Sequence, residues 1–119
     1  MIEKYHIPIK VLSESNVSEH WTKKAQRKKK QKKVISLFIA NSRVTPPCHV
    51  RLTRIAPRDL DEHDNLRSAF KSIIDAISDR LIPGLAAGRA DGDKRITWEF
   101  AQRKGSPKTY ALEIQLEKL

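Results

Sequence analysis

The sequence is poor in several things at once. It has a single cysteine, Cys48, so no internal disulfide can form and a reducing cytosol is the natural compartment. Cys48 falls in a strand pattern and reads as a small buried hydrophobe. There are only four glycines, and neither a Gly-rich phosphate loop nor a Ser-His-Asp pattern is evident. No apolar run approaches the roughly 18–20 residues a membrane helix needs, so no membrane partner is expected. The opening stretch MIEKYHIPIK lacks the apolar core of a secretory signal, and the expected location is cytoplasmic. The four histidines, His6, His20, His49 and His63, lack metal-ligand spacing to one another and read as ordinary. Acidic residues are missing altogether from residues 22–43, which carry nine basic side chains.

That local absence shapes the whole charge distribution. The chain holds 24 Lys plus Arg against 14 Asp plus Glu, a net charge of +10, which points to a polyanionic partner and most simply to nucleic acid. Outside residues 22–43 the remaining 97 residues carry fifteen basic and fourteen acidic groups. In the basic block WTKKAQRKKKQKK, Lys23, Lys24, Arg27, Lys28, Lys29, Lys30, Lys32 and Lys33 are the expected DNA-binding residues. Contacts of this kind grip the phosphate backbone without reading base sequence. Trp21, at the edge of the block, either stacks on a base or packs against a sheet. A length of 119 residues supports one domain, 1–119, and no repeat or internal boundary is visible.

Four segments read as strands. In 4–12, Tyr5, Ile7, Ile9 and Val11 alternate with polar residues, and Pro8 suits an edge strand. In 48–55, Cys48, Val50 and Leu52 share a face; in 95–101, Ile96, Trp98 and Phe100; in 109–116, Tyr110, Leu112, Ile114 and Leu116. RKGSPK between the last two is a turn by composition and predicts an antiparallel hairpin, with Arg103 or Lys104 a further DNA contact. Two segments read as helices. Residues 64–81 place Leu66, Ala69, Phe70, Ile73, Ile74, Ala76, Ile77 and Leu81 at helical spacing, ending at Pro83-Gly84. Residues 18 to about 42 form a second helix with unlike halves. Val34, Ile35, Leu37, Phe38 and Ile39 can pack on a sheet, whereas 23–33 offers no apolar face and projects into solvent or onto a partner. Pro46 and Pro47 prevent continuation. The expected fold is α+β, strand-helix-strand-helix-strand-strand, with helices packed on a mixed sheet.

The acidic residues gather between 59 and 93. Asp59, Asp61, Glu62 and Asp64 lie within six residues, and Asp91 and Asp93 follow the second helix on a Gly-containing loop. Asp64 sits where an N-cap belongs and its neighbours favour the positive end of the helix dipole. Capping needs one carboxylate, however, and crowded carboxylates repel unless a cation neutralises them. Mg²⁺ takes hard oxygen ligands from one or two carboxylates and substrate phosphate. Two acidic loops beside a basic phosphate-binding face are the parts of a metal-dependent nuclease. Asp75, three helical turns beyond Asp64, either assists such a site or pairs with Lys71 at i−4.

The run Leu60-Asp61-Glu62-His63-Asp64-Asn65-Leu66, with Lys71 and Asp75 on the helix and Asp91 and Asp93 on the loop, resembles the RusA family of Holliday junction resolvases, including its phage and prophage branches. Similar too is the N-terminal order of a strand, Ser15-Asn16, a basic helix and a strand. The likeness spans most of the chain, and its specific part covers about 35 residues. That family usually has one residue between its two motif aspartates, and here Glu62 and His63 intervene. Asp61 is taken as the partner of Asp64, with Glu62 in reserve. The resemblance implies a homodimeric endodeoxyribonuclease that recognises branched, four-way DNA by shape and makes symmetric paired cuts with Mg²⁺ or Mn²⁺. Asp61, Asp64 and Asp91 would be catalytic metal ligands, with Glu62 and Asp93 beside them, and Lys71 would stabilise phosphate charge. Symmetric cutting calls for two identical sites, as a two-fold dimer supplies. Two rivals stand against this reading: a non-catalytic basic nucleic-acid-binding protein, and a former resolvase retained for binding alone.

Overall fold

The computed structural model describes residues 1–12, 20–59, 66–84 and 92–119. Its elements are β1 (Ile2–Ile7), α1 (Trp21–Phe38), β2 (Cys48–Ala56), α2 (Arg67–Ala69), α3 (Lys71–Leu81), β3 (Ile96–Lys104) and β4 (Ala111–Lys118). The four strands form one mixed sheet in the order β1-β4-β2-β3, so the chain is a single α+β domain as its periodicities predict. No helix among the described residues is long and apolar enough to cross a membrane.

Alternation decides which sheet face is buried. Cys48, Val50 and Leu52 of β2 and Leu112, Ile114 and Leu116 of β4 are sealed from solvent, and Ile96 nearly so. Trp98, Phe100 and Tyr5 add half-buried surface to the same cluster. Against this face pack Ile35 and Ile39 of α1 and its cap, and Phe70, Ile73 and Ile77 of the α2–α3 run. Phe70 stacks on Phe100 with ring centroids 5.6 Å apart. The opposite face is polar: His49 and Arg51 of β2 bond to Thr97 and Glu99 of β3. β1 is an edge strand, as expected, and ends at Ile7, before Pro8 would have to donate to the ladder.

The predicted β3–β4 hairpin does not form. β3 pairs with β2 in parallel, and β4 pairs antiparallel with β2 and β1, so β2 lies between them. Residues 105–110 step over the end of β2, where the Gly105 N–H bonds to the Ala56 carbonyl at 2.9 Å. Skipping one strand requires about 10 Å, which six residues span easily. A Cβ at position 105 would meet the Ile55 side chain at 3.0 Å, so the close crossing suits glycine. The underlying reason is β2–α3–β3, a strand-helix-strand unit whose crossover returns β3 parallel to β2.

Both helices also differ from their predicted bounds. The 64–81 run is broken at Phe70, whose N–H bonds back three residues to Arg67, so a single turn, α2, precedes α3. α3 ends before Pro83-Gly84 as expected, and Gly84 takes φ +94°, open to glycine without strain. α1 stops at Phe38, four residues short of 42. The exiting chain is captured by Glu3, whose carboxylate accepts from Ser42 Oγ and from the Arg43 N–H at 3.0 Å.

Candidate nucleic-acid interface

α1 owes its orientation to one buried stripe. Gln31, Ile35 and Ile39 recur every four residues and face inward. Gln31 is the polar member, and its amide oxygen accepts a hydrogen bond from the buried Ser72 hydroxyl on α3. The basic half therefore does not simply project into solvent: it is docked on α3 along this stripe, with basic residues on both flanks. Leu37 and Phe38 point away from the core and are 68% and 43% exposed, so the apolar half of α1 is only partly core.

On the flank facing α3, Lys28, Lys29 and Lys32 meet Lys71, the first residue of α3, around a hollow of about 380 Å³ that Ala25, Ser72 and Asp75 complete. Four lysines from two helices thus line one concavity, together with one carboxylate. Asp75 lies 3.8 Å from Lys32, so its ion pair crosses to α1 instead of running along its own helix. Lys71, expected beside the acidic residues, belongs to the same surface as the basic block. Of the other expected DNA contacts, Lys23, Lys30 and Lys33 are exposed, and Lys24 and Arg27 half-buried. Trp21 is 76% exposed and tilted against His20, with centroids 5.6 Å apart, so its ring does not pack on the sheet. His20 caps α1 by accepting from the Thr22 N–H.

Most of the expected acidic ligands, Asp61, Glu62, Asp64 and Asp91, lie outside the described residues, as do His63 and the N-cap expected at Asp64. Among the described residues no group of three or more His, Cys, Asp and Glu side chains is placed to hold a metal. Asp93 is described and is already engaged. One of its oxygens accepts from the Arg95 N–H at 2.9 Å and from Arg95 Nε at 3.0 Å, the other from Nη2 at 2.8 Å. These bonds pull the Asp93 carboxyl down to about 2. Arg103 is likewise held by Glu113, at 2.9 Å.

Three groups escaped sequence reasoning. Arg54 continues the Cys48-Val50-Leu52 alternation and is buried, its Nε donating to the Val11 carbonyl and Nη1 to that of Arg58. It straps β2 to the segments on both sides, just before the acidic stretch. Burial pulls its pKa down, while the charge of Asp59 opposes that pull. Gln31 had a signal in its spacing to Ile35 and Ile39. Glu3 had none for its capture of the chain after α1, because Ser42 and Arg43 lie about 40 residues away.

No model of a known protein family matches the chain, and no curated protein matches it either.

Proposed function

We propose that this protein binds branched DNA through α1 and the start of α3, and that it is a Mg²⁺-dependent structure-specific endodeoxyribonuclease acting as a homodimer on four-way junctions. The observation that carries the reading is the convergence of Lys28, Lys29 and Lys32 with Lys71. It sets a cluster of cations at the start of α3, which follows the acidic stretch and the short α2 in the chain. Backbone phosphates are the ligand such a cluster suits, and the grip it gives is independent of base sequence. Asp61, Asp64 and Asp91, with Glu62 in reserve, would hold the cation, which supplies an activated water and polarises the scissile phosphodiester. Asp93, with both oxygens taken by Arg95, does not fit as a ligand in this arrangement. Lys71 would hold a phosphate oxygen and neutralise charge that builds on it.

The Asp93–Arg95 pairing also favours a second reading, a non-catalytic binder in which acidic residues serve the fold. Incubation of the protein with a synthetic four-way junction and Mg²⁺, beside a linear duplex of the same sequence, separates the two. The nuclease reading expects paired, symmetric nicks in the junction alone. Tight binding without cleavage would leave the second reading.

A further inference from the structure

The other flank of α1 carries a different surface. Arg27, Lys30, Val34 and Phe38, spaced i, i+3, i+7 and i+11, form a ridge along the helix that faces residues 8–12. Between ridge and segment lies an open groove of about 520 Å³. Its lining is mostly apolar, with Ile9, Leu12, Val34 and Phe38, and Lys10, Arg27 and Lys30 line it as well. Among the described residues, every charged side chain that lines it is cationic. Lys10 is held in place by the face of Tyr110, with its ammonium 4.4 Å from the ring centre.

An apolar lining alone would suit many partners, but the three cations beside it narrow the choice. A hydrophobic peptide gains nothing from three cations, whereas a nucleotide has a flat apolar part and a phosphate on each side. Paired bases in a duplex are shielded from such a groove, and unpaired ones are not. We propose that this groove receives an unpaired DNA base next to a branch or gap. The base lies against Phe38 and Val34, and its flanking phosphates sit on Lys10, Arg27 and Lys30. The proposal rests on the DNA-binding reading above and adds to it a preference for single-stranded character that phosphate contacts cannot supply.

The test is fluorescence anisotropy with a duplex carrying a short single-stranded gap, beside the fully paired duplex, for wild type, Phe38→Ala and Phe38→Tyr. Loss of one base stack is expected to weaken gapped-DNA binding by about tenfold in Phe38→Ala while paired-duplex binding stays within about twofold. Phe38→Tyr, which keeps the ring, should restore the preference. Phe38 is partly exposed, and circular dichroism checks that the variants fold. Equal weakening on both DNAs, or none on the gapped one, would overturn the proposal while leaving DNA binding by α1 intact. A halved molar mass in Phe38→Ala would show instead that a second copy of the chain fills the groove. Failure of the wild type to bind either DNA would remove the broader reading, and this one with it.

Discussion

Asp93 shows at the scale of one residue how far a side chain's neighbours outweigh its type. The motif reading groups it with the metal-binding aspartates, yet the guanidinium of Arg95 occupies both of its oxygens. The consequence is measurable. A carboxylate with a lowered pKa in the folded state adds stability above its ordinary value of 3.8, and that stability is lost as the pH falls through about 2. A carboxyl-carbon NMR titration should therefore find Asp93 ionised down to about pH 2, returning to the ordinary range in Arg95→Ala. An unshifted titration in the wild type would mean that Arg95 does not hold it. Lys71 gives the complementary lesson: helical periodicity marks it as exposed, but only the docking of α1 on α3 shows that it faces Lys28, Lys29 and Lys32. Lys71→Ala should weaken DNA binding and lower the log-log salt slope by about 0.9, the share of one phosphate that the variant no longer neutralises. An unchanged slope would place Lys71 outside the interface.

The helices and strands were largely legible in the sequence because each obeys a local period. Ile73, Ala76 and Ile77 repeat as a helix must, and Val50, Leu52, Leu112 and Ile114 alternate as strands must. Their pairing was not legible in the same way. RKGSPK has the composition of a hairpin turn, and nothing within those six residues reveals that β2 passes between the strands they join. The clue lay further off, in the strand-helix-strand order of β2, α3 and β3, which favours parallel neighbours. α1 is set by burial more than by charge. Ile35→Ala should cost about 2–5 kcal/mol by leaving a cavity under the helix, read as a shift in the denaturant midpoint. The triple substitution Lys28→Ala, Lys29→Ala, Lys30→Ala should leave that midpoint almost unmoved and flatten the salt dependence of DNA binding. The opposite pattern would assign the lysines to the fold and not to a ligand.

On the scale of the molecule, charge is concentrated in separate regions: α1 carries the densest run of cations, and the densest acidic clusters lie in the segments that enter and leave the α2–α3 run. Much of the basic surface proposed to hold phosphate could be read from composition, since nine basic residues without an acid need little geometry to interpret. The carboxylates could be read only as a pattern. Their chemistry depends on distances between two segments far apart in sequence, which no spacing rule contains. The irregular interval from Asp61 to Asp64 makes the point. If Asp61 is the ligand, cleavage should fall more in Asp61→Asn than in Glu62→Gln at saturating Mg²⁺, because a shorter carboxylate fits the near-octahedral geometry that Mg²⁺ demands. A larger loss in the Glu62 variant would exchange their roles and leave the nuclease reading standing. The most direct measurement is cleavage of a four-way junction by wild type and by Asp64→Asn, at protein concentrations where both saturate the same DNA. Paired Mg²⁺-dependent cuts by the wild type, abolished in Asp64→Asn with binding retained, are the predicted result. Equal cleavage by the two proteins, or none by the wild type on DNA it has fully bound, would contradict it.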